Sequence, residues 1–194
     1  MIISLTGFMG CGKSSVGREL RLQLGIPLID LDDYIVEATG RTIPDIFSSM
    51  GEKAFRSLEH LALQALFGLP ADDMECPAGI RPHFAPAPGA DFILSLGGGT
   101  LTTPACADLV KTNTSCIYLR ATIDTLVENL LIDGTSGRPM LSGADNAAAL
   151  RAKVEGLMSK REAIYESASC LTLDIDGMSY SEIAHEIISS IHQA

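Results

Sequence analysis

The chain has 194 residues, the length of one domain, and its 46% hydrophobic residues suffice for a core although aromatics make up only 5% and Trp is absent. A formal net charge of −10 disfavours non-specific nucleic-acid binding, which depends on neutralising phosphates with Lys and Arg. Five Cys, none at CxxC spacing, argue against a disulfide framework or a zinc site, and no apolar run approaches the roughly 20 residues that span a bilayer. The opening MIISLTGFMG has neither a basic n-region nor a small-residue cleavage site. Together these features predict a soluble, cytoplasmic protein with reduced thiols. An acidic protein that handles anions must do so with a few focused cations.

Residues 2–5 read as a short buried strand stopped by Gly7, and positions 13–24 have helical spacing with Val16, Leu20 and Leu24 on one face. Residues 26–29 predict a second strand, with Pro27 near its start, where a missing N–H is tolerated. Helical patterns follow over 31–39 and 51–66. A third apolar run, 92–96, closes on Gly97-Gly98-Gly99, and Thr103-Pro104 reads as a helix start. Residues 115–120 predict a fourth strand and 170–173 a fifth. Between them, 147–167 fits a long helix whose stripe is Leu150, Val154, Leu157 and Met158. Ser179 and Glu182 have the spacing of a capping box for the last helix. Strands alternating with helices predict an α/β fold, a parallel sheet covered on both faces, with ligands beyond the carboxyl ends of the strands. Two stretches carry no period. Residues 68–91 hold five of the nine Pro and read as a surface excursion, including Cys76 and His83; residues 133–146 are polar and Gly-rich. Loops of this length inside a domain are usually functional or mobile.

Gly7-Phe8-Met9-Gly10-Cys11-Gly12-Lys13-Ser14 satisfies GxxxxGK[ST] between a predicted strand and a predicted helix. Glycines let successive N–H groups curl toward phosphate oxygens, and the helix that follows adds the positive end of its dipole. Gly10, Cys11, Gly12, Lys13, Ser14 and Ser15 are therefore assigned to a nucleotide, with Lys13 on the β- and γ-phosphates and Ser14 on Mg²⁺. Cys11, lying inside this loop, is expected to be alkylated unless ATP covers it. Such a loop does not by itself separate kinases from GTPases, motors or binding proteins. No NKxD-type base-reading motif is present, and the DxxG-like Asp174-Ile175-Asp176-Gly177 reads as a turn before the last helix.

The opening GFMGCGKSSVGR is followed in order by LIDLDDYI at 28–35, TGRTIPDIFSSMGEKAFRSLE at 39–59, LSLGGGT at 94–100 and SGRPML at 136–141. Together these segments resemble the shikimate kinase family. The resemblance implies one P-loop kinase domain over 1–194, three-layered, with a five-stranded parallel sheet. It further implies a substrate-binding helical region about 31–66, an insertion about 68–91 and a mobile lid about 133–146. The implied activity is ATP-dependent phosphorylation of the 3-hydroxyl of shikimate, with Mg²⁺. Asp30 would hold the metal's water shell, and Asp32 would bind the acceptor hydroxyl and accept its proton. Arg56, oriented by Glu59, would clamp the substrate carboxylate together with Arg161, Gly97 to Gly99 would line the ring, and Arg138 would close from the lid as a catalytic cation. Ser95 could reach the metal shell. Each residue also has a plainer reading: helix-start carboxylates for Asp30 and Asp32, a surface ion pair for Arg56 and Glu59, a solvated charge for Arg161, a helix-entry turn for the glycines and an exposed loop residue for Arg138. Family members often sandwich adenine between arginines; in this chain Leu131 and Asp176-Gly177-Met178 stand in those neighbourhoods. A gluconate-kinase-like enzyme and a non-catalytic nucleotide-binding module are the alternatives. The expected partners are small molecules, without nucleic acid or membrane, and the expected state is a monomer.

Overall fold

The computed structural model describes residues 1–70, 76–77, 79–134, 139–141 and 143–191. Five parallel strands form one sheet: β1 (Ile2–Thr6), β2 (Leu28–Asp30), β3 (Phe92–Ser95), β4 (Ser115–Arg120) and β5 (Leu171–Asp174), in the order β2-β3-β1-β4-β5. The order reverses around β1: the chain crosses first to β2 and β3 on one side, then to β4 and β5 on the other. Chain segments leaving β1, β2 and β3 therefore converge at one edge, where ligands of open parallel sheets bind. The inner strands are covered on both sides, so Ile3, Leu5, Ile93, Leu94, Ile117 and Leu119 are all buried and no polar–apolar alternation shows in the sequence.

The helices are α1 (Lys13–Leu24), α2 (Leu31–Thr39), α3 (Ile43–Leu66), α4 (Pro104–Asn113), α5 (Ile123–Asp133), α6 (Ala147–Ala168) and α7 (Tyr180–Ile191). One layer pairs α1 with α7; in the other, α3, α4, α6 and α5 pack in succession. Sequence expectations hold for α1, α2 and β4 to the residue. They shift at β2, which starts at Leu28 instead of Ile26, because Pro27 offers only its carbonyl, taken by the Ile93 N–H at 2.8 Å. α3 begins eight residues before the expected 51, capped by Thr42, and bends at Gly51, whose φ of 82° and ψ of 172° break the helical path. The capping box of α7 forms as expected: Ser179 N donates to Glu182 at 2.8 Å, and Glu182 N donates to Ser179 Oγ at 3.3 Å. Thr103 precedes α4 but its side chain makes no capping bond, so the Pro at the first helical position is what marks that start.

α5 has no counterpart among the predicted elements. Leu126, Val127 and Leu130 face the core, but Leu131 and Ile132 are exposed, so the apolar residues surround the helix and blur its period. The 68–91 stretch is also more than an excursion. Cys76 and His83 are exposed as expected, yet Ile80 is buried and Phe84 packs on the core. Of the expected lid, residues 135–138 and 142 lie outside the described residues; Pro139–Leu141 form a 3₁₀ turn with Leu141 buried.

At the start of α6, Asn146 accepts from the N–H of Ala149 at 2.9 Å. Asn146→Ala removes that cap and is expected to cost about 1 kcal/mol, a fall in Tm of roughly 2–4 °C. Thermal denaturation checks it, and an unchanged Tm contradicts the assignment.

Candidate active site

The loop after β1 wraps toward α1, and Lys13 folds back over it, donating from Nζ to the carbonyls of Gly7 at 2.9 Å and Phe8 at 3.0 Å. The cation is thus parked on the loop. Gly12, at φ 86°, sits in the left-handed region as the cap of α1. Asn129 of α5 donates to the Gly10 carbonyl at 2.8 Å and braces the loop from outside. Cys11 is buried at 2% exposure, its sulfur 3.8 Å from Lys13 Nζ. This corrects the expectation of a reactive thiol: a reagent has no path to it while the loop keeps this shape.

The second strand ends in Asp30, which does two things at once. Its Oδ1 accepts from the Asp32 N–H at 3.1 Å and caps α2, and its Oδ2 accepts from Ser14 Oγ at 3.2 Å. The plain helix-start reading therefore holds for Asp30 without displacing the link to the loop serine. Asp32 faces the cleft while Asp33 is exposed, because neighbours on a helix diverge by about 100°. Asp32 Oδ1 is buried and has no hydrogen-bond partner among the described residues. Burial first, then the negative charges of Glu59 and Asp30, push its carboxyl up from the ordinary 3.8 to about 7, against the pull of Lys13 and Arg56.

Arg56 is no surface ion pair. Its Nη1 donates to Glu59 at 2.6 Å, Nη2 to Glu52 at 2.9 Å, and Glu59 is wholly buried. The other oxygen of Glu59 accepts from Thr100 Oγ1. Burial pushes the Glu59 carboxyl up, and Arg56 and Thr100 oppose it. Burial also pulls on Arg56, but the two glutamates outweigh it and hold its guanidinium more firmly charged. Arg161 is not a solvated charge either: at 5% exposure it donates to the Gly98 carbonyl at 3.1 Å and lies over the Phe8 ring. One turn on, the Tyr165 hydroxyl donates to the same carbonyl.

Two of the three glycines lie close against the charged side chains. A Cβ on Gly99 would collide with the Arg56 guanidinium, and one on Gly97 would crowd Asp32, Thr100 and Glu59 at 3.0–3.1 Å. Gly98 lies against the backbone of Met9 and Gly7. The glycines thus seat the charged network beneath them as well as lining the space above it.

These groups face one cleft of about 480 Å³ at the carboxyl ends of β1, β2 and β3. Lys13, Ser14, Ser15, Asp30, Asp32, Arg56, Gly97 to Gly99 and Arg161 all line it, as does buried Ser95. Arg138 lies outside the described residues. Sequence reasoning missed Arg18, Phe47, Phe55 and Met140, which also line the cleft. Arg18 was findable, since it stands four residues after Ser14 on the same face of α1; the aromatics needed the bend at Gly51. Among the described residues, four cations converge on this cleft in a chain of net charge −10, the focusing that the composition demanded.

The family model described as Shikimate kinase matches residues 9–70 and 87–192. A shikimate kinase of Enterococcus faecalis is 31% identical, covering 98% of both chains. One from Thermus thermophilus is 33% identical, covering 97% of this chain and 89% of its own. The solved shikimate kinase of Acinetobacter baumannii, in complex with shikimate, superposes with a TM-score of 0.81 at 27% identity, over 99% of this chain and 93% of that one.

The raised pKa of Asp32 makes a prediction for the free protein. A carboxyl with a higher pKa folded than unfolded binds its proton more tightly in the native state. Its stabilising effect is complete below the ordinary 3.8 and is lost as pH rises to about 7. Asp32→Asn, which resembles the protonated acid, should melt above wild type at pH 8 by roughly 5 °C and level with it at pH 4. A variant melting at or below wild type at pH 8 contradicts the burial and like-charge repulsion assigned to Asp32.

Proposed function

The chain belongs to the shikimate kinase family, and from that premise we propose that it transfers the γ-phosphate of ATP to the 3-hydroxyl of shikimate, giving shikimate 3-phosphate. The observation that carries this reading is the company kept by the phosphate-binding loop. Buried Arg161, half-buried Arg56 and a half-buried aspartate whose buried Oδ1 has no partner among the described residues open into its cleft. A carboxylate-bearing polyol fits that set; a neutral sugar or a nucleotide base would leave the arginines without use.

In the proposed mechanism, backbone amides from Gly10 to Ser15 and the Lys13 ammonium hold the phosphates, Lys13 leaving the Gly7 and Phe8 carbonyls to do so. Arg56 and Arg161 bind the acceptor carboxylate, for which a guanidinium fork is well shaped. Asp32 orients the hydroxyl and takes its proton, a role suited to a carboxyl whose pKa lies near 7. Arg138, by its place in the sequence, is proposed to bring positive charge to the transferring group. Ser14 Oγ and Asp30 Oδ2, 3.2 Å apart, with the free Asp32 oxygen nearby, make an all-oxygen donor set that suits Mg²⁺. Among the described residues no group of three His, Cys or acidic side chains could hold a metal ion. Held by Ser14 and Asp30, such an ion would supply neutralisation of phosphate charge. Among the described residues no helix is long and apolar enough to cross a membrane.

A coupled ADP-release assay across acceptors tests the reading. Shikimate should stimulate turnover while gluconate and AMP do not; stimulation by either of those alone overturns it. In the same assay Arg56→Lys, which keeps the charge and loses the fork, should raise the KM for shikimate about ten- to hundredfold. The KM for ATP should stay within twofold. A parallel rise in both contradicts the separate carboxylate clamp.

A further inference from the structure

Helix α2 carries Asp32 yet has only nine residues, about 13 Å of helix; its fully buried residues are Leu31 and Ile35, and Tyr34 packs on the core beside them partly buried. On so short a helix, the contacts that flank this stripe fix its rotation. The described part of the 68–91 insertion lies against one flank of that stripe. Phe84 stacks on Tyr34 with ring centroids 5.3 Å apart, the Tyr34 hydroxyl donates to the Ala85 carbonyl, and the His83 N–H donates to the Ala38 carbonyl at 2.9 Å. Tyr34 and Ala38 are one turn apart on the same face. At about 100° per residue, Tyr34 lies roughly 160° around the helix from Asp32, with Leu31 and Ile35 between them. Any roll that frees Tyr34 therefore swings Asp32 relative to the cleft.

The segment is built to hold a shape without helix or strand. Pro82, Pro86 and Pro88 restrict its backbone, Ile80 anchors it in the core, and the Cys76 thiol donates to the Ile80 carbonyl at 3.3 Å. It falls largely in the stretch that the family match passes over, between residues 70 and 87.

We propose that residues 79–88 are a strap that sets the rotation of α2, and that Tyr34 and Phe84 are positioning residues acting on the acceptor hydroxyl through Asp32. The proposal rests on the role proposed for Asp32 in catalysis. Phe84→Ala removes the stack and Tyr34→Phe removes only the hydroxyl bond. Misplacing a reacting group by a fraction of an ångström slows the chemical step, so each variant should lower kcat about three- to tenfold. The KM for ATP should stay within twofold, because the phosphate loop is untouched. Phe84→Tyr, which keeps the ring, should retain wild-type kcat. If Phe84→Ala lowers Tm but leaves kcat at the wild-type value, the strap is a stability element and the proposal is overturned. Asp32→Asn in the same assay separates the two levels. Wild-type turnover in that variant overturns the role of Asp32 and the strap with it; loss of turnover there, with Phe84→Ala at wild-type kcat, overturns the strap alone.

Discussion

A half-buried arginine paired with a fully enclosed glutamate governs the form of this site. Removing Glu59 from water is costly unless its oxygens are satisfied, and breaking one partner of such a pair leaves an uncompensated charge. One of its oxygens takes Arg56 and the other takes Thr100. That arrangement fixes the guanidinium, and several otherwise arbitrary features follow. A side chain at position 99 would displace Arg56 from its glutamates, because the guanidinium occupies that space. Thr100 must stand directly after the glycines to reach Glu59. α3 must run straight from Glu52 to Glu59 so that both acids reach the same cation, which places the bend just before them, at Gly51.

The sheet supplies the rest. Because β1 lies between β3 and β4, the phosphate loop stands beside the glycine loop, and Gly98 bears on the backbone of Met9 and Gly7. Arg161 and Tyr165, arriving from α6 on the other half of the chain, both fasten to the Gly98 carbonyl. One peptide group thus ties three parts of the sequence to the point where phosphate donor and acceptor would meet. The half-buried acid, Asp32, is left without a protein partner, and the destabilisation of its charged form is the sort of local cost that functional sites carry.

Much of this was legible because it is local. The phosphate loop, the span of α1 and the span of β4 follow from contiguous residues and match the structure to the residue. The acid–arginine constellation was readable as a set of segments in order, though the linear sequence could not say that the solvated reading of Arg161 was wrong: its neighbours Lys160 and Glu162 are exposed, and only the packing of α6 turns Arg161 inward. α5 escaped because exposed Leu131 and Ile132 hide its buried stripe. The contact of Phe84 with Tyr34 spans fifty residues and has no sequence period to announce it. Cys11 misled because its place at a helix start was visible while its burial was not.

The proposed function requires one cleft to hold a phosphate chain at Lys13 and a ring carboxylate at Arg56 and Arg161, with Asp32 between. The most direct measurement is a crystal structure of the protein with shikimate and a non-hydrolysable ATP analogue. The carboxylate should lie within hydrogen-bond distance of both arginines, and the 3-hydroxyl on Asp32 should face the γ-phosphate. A carboxylate remote from either arginine, or a ring turned so that another hydroxyl meets Asp32, would contradict it.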